Sequence, residues 1–353
     1  MTWIWTFLGF AALVLLHEAG HFVAAKAVGM RVELFSLFFP PLLARVRRGE
    51  TEYALGAIPL GGYVKISGMN PAEELPPDVA PRAYYSQPVW KRVVVIAAGP
   101  AVNIVLAFVI IWAVFLHTGT FGSPPRVAAV EAGKPAAAVL KPGDQILAVD
   151  GRAPGGSDVD AQIASVGRAI AAHKGTPVSL TVRRDGRTRT VSATPFYDPK
   201  LRKYRIGFAQ GATHHAAGVG GAADAAVRQM WLTTSTTVSK IVQIFKPEDR
   251  KQLTSVVGAG KATQEAFTLS PSVALMLLGV ISLSLGVVNL FPFLPLDGGH
   301  IFWAVAEKLR GRAIPFSVME RAGFIGFALV ITLFVIGFTN DIGRLTGEGF
   351  GVR

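Results

Sequence analysis

Two histidines and a glutamate lie one helical turn apart inside an apolar segment near the start of the chain. The segment reads His17-Glu18-Ala19-Gly20-His21. On a helix this spacing places both imidazoles on one face, where they can bind one zinc ion, and leaves the glutamate free to take a proton from an attacking water. Ionisable groups are costly in a membrane helix unless they serve a function. The motif therefore predicts a hydrolytic metal site with His17 and His21 as ligands and Glu18 as general base.

A catalytic zinc site of this kind needs a third protein ligand and one open position. Asp297 is the candidate, because it ends the third long apolar stretch, within Asn289-Leu-Phe-Pro-Phe-Leu-Pro-Leu-Asp-Gly-Gly-His. If the chain crosses the membrane at each such stretch, the first and third run in the same direction and place the two motifs at similar depth. Irregular backbone at that depth is tolerated only when protein or a water-filled cavity surrounds it. His300 is the alternative third ligand, although a carboxylate completing two histidines is the commoner pattern.

Composition indicates the membrane setting of these motifs. Only 16% of the 353 residues are charged, and the mean hydropathy is +0.42. Four apolar stretches approach or exceed the roughly 20 residues that a spanning helix needs. The first is not expected to be a cleavable signal peptide, because no lysine or arginine precedes its apolar run. The chain has no cysteine, which excludes thiolate zinc sites and disulfides.

The net charge of +12 does not indicate nucleic-acid binding. Twenty of the 35 lysines and arginines lie between His117 and Glu265, interspersed with apolar strand residues. That distribution is typical of a solvated domain face, which could also lie near anionic lipid headgroups. We therefore expect the lipid bilayer, and no nucleic acid, among the partners.

The segments between the spans have their own character. We predict strands on both sides of a Pro-Pro turn at Pro40-Pro41, forming a small sheet at the membrane face. Phe121–Phe208 predicts an α+β module with a helix over Asp158–His173 and a hairpin at Asp185-Gly186. This module resembles a PDZ domain, a peptide-binding fold, through the signature Lys141-Pro-Gly-Asp-Gln-Ile-Leu-Ala-Val-Asp-Gly. The alternative is a module that binds no peptide and only packs on the membrane part.

The predicted fold class is therefore a multi-span α-helical membrane protein of about four transmembrane helices, with a membrane-associated β-hairpin and an inserted α+β PDZ-like domain. Ala222–Phe245 predicts an amphipathic helix that packs or lies at an interface. The predicted order is span 1–28, β region and loop 29–92, span 93–117, PDZ-like module 118–210, amphipathic helix and linker 222–265, span 266–297, loop 298–321 and span 322–340.

Taken together, the motifs resemble the bacterial site-2 proteases, which are zinc intramembrane metalloproteases. The resemblance covers nearly the whole chain: the HExxH motif, Gly56–Ile66, Trp90–Asn103, the PDZ-like module and Gly286–His300. It implies Zn²⁺ as cofactor, His17, His21 and Asp297 as its ligands, and Glu18 as the catalytic base.

The same resemblance implies a substrate site and a location. Asn289 corresponds to an asparagine that helps to hold unwound substrate. The segment Gly61–Ile66 corresponds to a hairpin that guides substrate strands, and its implied substrate-binding residues are Gly61, Gly62, Tyr63 and Val64. The implied substrates are single-span membrane proteins, such as membrane-bound anti-sigma factors after a first cut, or signal-peptide remnants. A peptide ligand of the PDZ-like module is a further implied partner. The implied location is the bacterial cytoplasmic membrane, with 29–92 and 298–321 in the cytoplasm and the PDZ-like module outside.

Two other functions compete with proteolysis. A catalytically silent scaffold that binds membrane proteins through the PDZ-like module predicts a damaged metal site, whereas both histidines, the aspartate and the base are present. A metal transporter needs polar residues spread through several spans, and between their end residues the second and fourth stretches offer only Asn103 and a few hydroxyls.

Overall fold

The computed structural model describes residues 1–70, 73–156, 159–199, 201, 203–243, 254–312 and 314–346. The chain forms two compact units, Met1–Val114 with Asp224–Arg353, and Phe115–Ala223. The helices are α1 (Thr2–Ala27), α2 (Val89–Thr118), α3 (Pro135–Val139), α4 (Val159–Ala172), α5 (Val219–Gln243), α6 (Val256–Leu269), α7 (Pro271–Asn289), α8 (Asp297–Arg310) and α9 (Phe316–Thr346). The strands are β1 (Val32–Arg48), β2 (Thr51–Ile66), β3 (Thr120–Val130), β4 (Gln145–Val149), β5 (Val178–Arg184), β6 (Arg187–Ala193), β7 (Phe196–Asp198), β8 (Lys203–Arg205) and β9 (Phe208–His215).

Among the described residues, four helices are long and apolar enough to cross a membrane: α1, α2, α7 and the Ser317–Gly343 part of α9. Many of their large apolar side chains are exposed, for example Phe324 at 76% and Ile325 at 70%. Exposed apolar side chains on such helices suit contact with lipid tails rather than water. The predicted four-span architecture is therefore confirmed.

The third span differs from the prediction of one segment over 266–297. It is α7, which begins at Pro271 and ends at Asn289, and the preceding residues belong to the separate helix α6. Ser270 caps α7 by accepting a hydrogen bond from the backbone N–H of Ser272 at 3.2 Å. Proline lacks an N–H donor and is favoured in the first helical turn, so Pro271 sets the break.

Two more segments between the spans are helical, one where a loop was predicted and one where a helix was predicted. The predicted loop 298–321 contains most of the helix α8, which ends at Arg310 before Gly311 in the left-handed conformation (φ 66°). The predicted amphipathic helix Ala222–Phe245 is present as α5, and its last two residues lie outside the described part of the chain.

The β-rich region forms one long, irregular hairpin of β1 and β2. The predicted Pro-Pro turn is wrong, because β1 runs through Pro40 and Pro41 and turns at residues 49–50. The register shifts repeatedly, so residues 34–37 pair with 62–65 on one side and with 52–55 on the other. These shifts let two strands curl into a compact sheet whose base packs on the first and second spans through Met30, Ile66, Tyr84, Val95 and Ile96.

The turn of this hairpin is fixed by ion pairs to Glu50. Its carboxylate accepts hydrogen bonds from Arg82 at 2.7 and 2.8 Å and from Lys26 at 2.6 Å. These bonds, Arg82 first, lower the pKa of Glu50 to about 2. A lowered pKa means that the pairing stabilises the fold above the ordinary carboxyl pKa, and that this contribution is lost as the pH falls toward 2.

We therefore expect Glu50→Gln to lower the thermal unfolding temperature at pH 7, where the lost contribution is about 1 kcal/mol for a carboxylate this exposed. The difference from wild type should shrink steadily below pH 4.5. Parallel unfolding scans of both proteins in detergent between pH 7 and pH 3 measure it. A difference that stays constant over this range would contradict the role of these ion pairs.

The second unit is an antiparallel five-stranded sheet of order β6-β5-β4-β3-β9, with a separate β7–β8 pair. Its core is apolar and includes Val127, Ile146, Val166, Leu180 and Ile206. The predicted hairpin is present, with Arg184 opposite Arg187 and positive φ at Asp185 (49°) and Gly186 (75°). Since β9 continues to His215, the module is longer than the predicted 118–210.

Candidate metal centre

The first helix brings two histidine rings together, as the HExxH spacing predicts. His17 and His21 are each 7% exposed, and their Nε2 atoms lie 3.2 Å apart. Oδ2 of Asp297 lies 3.3 Å from Nε2 of His17 and 3.4 Å from Nε2 of His21. The three side chains thus converge although 276 positions separate the last two in sequence (297 − 21).

Tight packing of the segment around it positions Asp297, the first residue of α8. A Cβ at Gly298 would lie 2.2 Å from the carbonyl oxygen of Leu290, and one at Gly299 would lie 2.4 Å from the backbone nitrogen of Leu294. Only glycine at both positions lets the irregular segment 290–296 fold back onto the start of α8. The carboxylate also lies in the first turn of this helix, where the helix dipole favours negative charge.

A second helix forms the wall behind the histidines. Val95, Gly99 and Asn103 are spaced four residues apart on α2, so they lie on one face. The Val95 carbonyl accepts a hydrogen bond from Nδ1 of His21 at 2.9 Å, and Asn103 contacts Nδ1 of His17 at 3.1 Å. A Cβ at position 99 would lie 2.2 Å from Nε2 of His21, so glycine leaves the space that this ring occupies.

This arrangement fits a divalent cation. Each of the three residues offers one ligand atom, and all of these atoms lie within 4.8 Å of one another. Oδ2 of Asp297 is buried and makes no hydrogen bond of normal geometry with the described residues, although both Nε2 atoms lie within 3.4 Å of it. Such an oxygen is costly unless a cation faces it. Two imidazoles and one carboxylate are a common donor set of catalytic zinc. The alternative ligand His300 is not part of this cluster.

Glu18 lies between the two histidines and beside the hairpin. A Cβ at Gly62 would lie 2.9 Å from Cγ of Glu18 and 2.8 Å from the carbonyl oxygen of Ser36. Glycine at this position therefore lets the backbone of β2 approach the glutamate directly. The structure brings the predicted base and one predicted substrate-binding residue into contact.

The other predicted substrate-binding residues lie on the hairpin and at the end of α7. Gly61 packs on the ring of Phe39, where a Cβ would lie 2.8 Å from Cε2, and the ring of Tyr63 stacks on the same phenylalanine at 5.9 Å. Val64 packs against the core at the base of the hairpin. Asn289 is half-buried at the C-terminal end of α7. Of these residues, Gly62 lies against the side chain of the predicted base.

An ion pair at the far end of α8 fixes the helix that carries Asp297. Arg92 of α2 donates to both carboxylate oxygens of Glu307, at 2.8 and 3.0 Å. These hydrogen bonds lower the pKa of Glu307. Bidentate arginine–carboxylate pairs are strong and directional. The helix that positions the histidines therefore also holds α8.

Sequence reasoning did not assign a role to Val95, Gly99 or Asn103. The sequence does contain a signal for Asn103, because a polar residue in an otherwise uncharged span needs a hydrogen-bond partner. In the structure Asn103 is 0% exposed. Its partner could not be found without the relative placement of α1 and α2. Since every residue has a backbone carbonyl, no sequence pattern identifies that of Val95 as the partner of His21.

A helical membrane protein whose HExxH helix meets a distant aspartate in one buried cluster has the architecture of a membrane-integral zinc metalloprotease. The profile of Peptidase family M50 matches residues 5–333, and the chain belongs to this family. The predicted resemblance to the site-2 proteases is confirmed, and the protein is a zinc-dependent metalloprotease integral to the membrane.

Relatives of similar length support the family assignment. Zinc metalloprotease Rip1 of Mycobacterium tuberculosis is 34% identical over 390 residues, covering 93% of this chain and 94% of that protein. A Brucella suis protein named "Putative zinc metalloprotease" is 31% identical over 354 residues, covering 94% of this chain and 92% of that protein.

Among solved structures, the PDZ domain of the SdrC-like protein of Listeria monocytogenes matches 26% of this chain and 88% of its own, at 24% identity and a TM-score of 0.22.

Proposed function

We propose that the protein is an intramembrane endopeptidase that hydrolyses peptide bonds in the transmembrane segments of single-span membrane proteins. The observation that carries this proposal is the convergence of His17, His21 and Asp297 on helices of the membrane-spanning unit. The histidines belong to a helix long and apolar enough to span a bilayer. A hydrolytic centre built into such a helix suits substrates that are themselves in the membrane.

Each group of the site has a distinct role in this reaction. His17, His21 and Asp297 would hold the zinc ion, which when bound polarises the scissile carbonyl and makes water more acidic. Glu18 takes the proton from the attacking water and passes it to the leaving amine. The histidines are buried and are assigned to the metal, which leaves Glu18 as the group that moves the protons of the reaction.

A transmembrane helix must unwind before one of its peptide bonds can be attacked, because each carbonyl is already hydrogen-bonded within the helix. Residues 62–65 of β2 pair with β1 on one side only, as far as the described residues show. Addition of an unwound substrate strand to the other edge would satisfy freed backbone groups. The contact between Gly62 and Glu18 places this edge next to the base, and Asn289 supplies a side-chain amide for the remaining groups.

The family resemblance implies the substrate class, and the strand edge beside Glu18 suits it. Membrane-bound anti-sigma factors after a first cut, and signal-peptide remnants, are short single-span chains that could reach such an edge. The second unit contributes a peptide ligand site, and the cytoplasmic membrane of a bacterium is the proposed location, with 29–92 and 298–321 on the cytoplasmic side. The hairpin then receives substrate from that side of the bilayer.

Removal of the metal tests the proposal directly. Purified full-length protein in liposomes should contain one zinc ion per chain and cleave a single-span reporter. Treatment with 1,10-phenanthroline should remove both zinc and cleavage, and stoichiometric zinc should restore cleavage. A reporter whose span is replaced by a soluble helix serves as control and should be cut poorly. Cleavage that persists in protein from which metal analysis shows zinc to be lost would contradict the proposal.

The same experiment separates the two alternatives. A silent scaffold would bind membrane proteins through the second unit without cutting any of them, with or without zinc. A transporter would move zinc across the liposome membrane without cutting the reporter. The convergence of all three donor side chains next to a glutamate favours the peptidase over both.

A further inference from the structure

We propose that Asn103 is a positioning residue that determines which ring nitrogen of His17 carries a proton, and thereby frees the other nitrogen for zinc. This role depends on the zinc-dependent activity proposed above. Asn103 touches the ligand His17 rather than the metal or the substrate. It is 0% exposed, in the middle of α2, a helix without acidic residues.

The two histidines have different partners behind their rings. A neutral imidazole binds a metal through the nitrogen that lacks a proton, so the other nitrogen must donate its proton to an acceptor. For His21 this acceptor is the carbonyl oxygen of Val95, 2.9 Å from Nδ1. A carbonyl can only accept, so Nδ1 of His21 carries a proton, and in the neutral ring Nε2 keeps the lone pair that a metal needs.

His17 faces an amide instead of a carbonyl. Its Nδ1 lies 3.1 Å from Nδ2 of Asn103. An amide nitrogen donates, so in this orientation the proton of His17 is on Nε2, which lies 3.3 Å from Oδ2 of Asp297. This tautomer has no lone pair on Nε2 and therefore cannot bind a metal through that atom.

The oxygen of the same amide supplies the other tautomer. Oδ1 of Asn103 is buried and has no hydrogen-bond partner among the described residues. A half-turn of the amide plane brings this oxygen to Nδ1 of His17, which then donates to it and leaves Nε2 free. The oxygen and the nitrogen of an amide are nearly equal in size, so the turn needs no repacking. Asparagine therefore fits both the metal-free and the zinc-binding tautomer, without a change in net protonation.

The backbone at this point is held in place by α7. Ser282 donates from Oγ to the carbonyl oxygen of Asn103 at 2.9 Å. Gly286 lets α7 approach, because a Cβ there would lie 3.0 Å from the carbonyl oxygen of Pro100. Only the amide plane of Asn103 needs to turn, while its backbone stays fixed.

The test is zinc affinity, measured by competition with a chromogenic chelator on the full-length protein in detergent. Asn103→Leu removes both hydrogen-bonding groups and should weaken zinc binding about 10- to 100-fold, as loss of a partner behind a metal ligand does. Asn103→Asp retains an acceptor of the same size and should bind within about threefold of wild type. Thr263→Val removes a buried hydroxyl that donates to the carbonyl oxygen of Ala259 within α6, so its zinc affinity should also stay within about threefold of wild type. Metal-free thermal unfolding reports whether each variant folds.

Wild-type affinity in Asn103→Leu would overturn the proposal. Affinity in Asn103→Asp as low as in Asn103→Leu would also overturn it, because packing rather than an acceptor would then matter. If Asn103→Leu does not fold, the comparison of Asn103→Asp with wild type decides in the same way. Failure of the wild-type protein to bind zinc would instead refute the proposed function, which distinguishes the two failures.

Discussion

Replacing Glu18 by glutamine is expected to abolish cleavage of a single-span reporter while one zinc ion per chain remains bound. Glutamine has nearly the same size and keeps the contact with Gly62, where the backbone of β2 approaches the Glu18 side chain. It cannot take a proton from the attacking water, and a positioned general base typically contributes about 10²- to 10⁴-fold to the rate. Since Glu18 is not one of the three clustered donors, the metal site should stay intact. Reporter cleavage and zinc content of the same preparation measure the two effects.

A second glutamate provides the control for this variant. Glu265 lies on α6 and pairs with Lys261 one turn away at 3.6 Å, so Glu265→Gln makes the same chemical change outside the metal site and should leave the rate unchanged. Cleavage by Glu18→Gln within a few-fold of wild type would remove Glu18 from its role as base. Loss of zinc in Glu18→Gln would show instead that the glutamate supports the metal.

The sequence predicted those parts of the site that depend on local spacing. Two histidines four residues apart on a helix must share a face, and this requires no knowledge of the tertiary structure. The pairing with Asp297 followed from a topological step, because two spans separated by one other span run in the same direction. Apolar length located the four spans for the same reason: a bilayer imposes a minimum length on any helix that crosses it.

The predictions that failed are those in which tertiary contacts override local signals. Pro40 and Pro41 indicate a turn, but the shifted register of the hairpin accommodates both within β1. The long apolar run of the third stretch does not show that it contains two helices, because the break at Ser270 needs only a cap and a proline. The partners of His17 and His21 on α2 depend on how two helices pack, which composition and periodicity do not report.

Helices α1 and α2 pack so closely at His21 that one added methyl group on α2 is expected to disrupt the metal site. Gly99→Ala is expected to weaken zinc binding by at least about 100-fold and to abolish cleavage, because a ligand ring would be displaced. The added Cβ would lie 2.2 Å from Nε2, 2.6 Å from Cε1 and 2.8 Å from Cδ2 of His21. The ring cannot move aside freely, since its Nδ1 donates a hydrogen bond to the Val95 carbonyl and the centre of the His17 ring lies 4.9 Å from its own. The hydrogen bond and this ring contact would both have to change before a methyl group could fit.

The matched control for this variant is Gly260→Ala on α6, where an added Cβ meets nothing within 4 Å. Alanine is the better helix former by about 0.5–1 kcal/mol, so this variant should be at least as stable as wild type and should bind zinc normally. Zinc affinity by chelator competition, reporter cleavage and metal-free thermal unfolding on both variants separate a displaced ligand from a misfolded protein. A folded Gly99→Ala protein with wild-type zinc affinity would mean that α1 and α2 do not pack as closely in the membrane as the positions of His21 and Gly99 require.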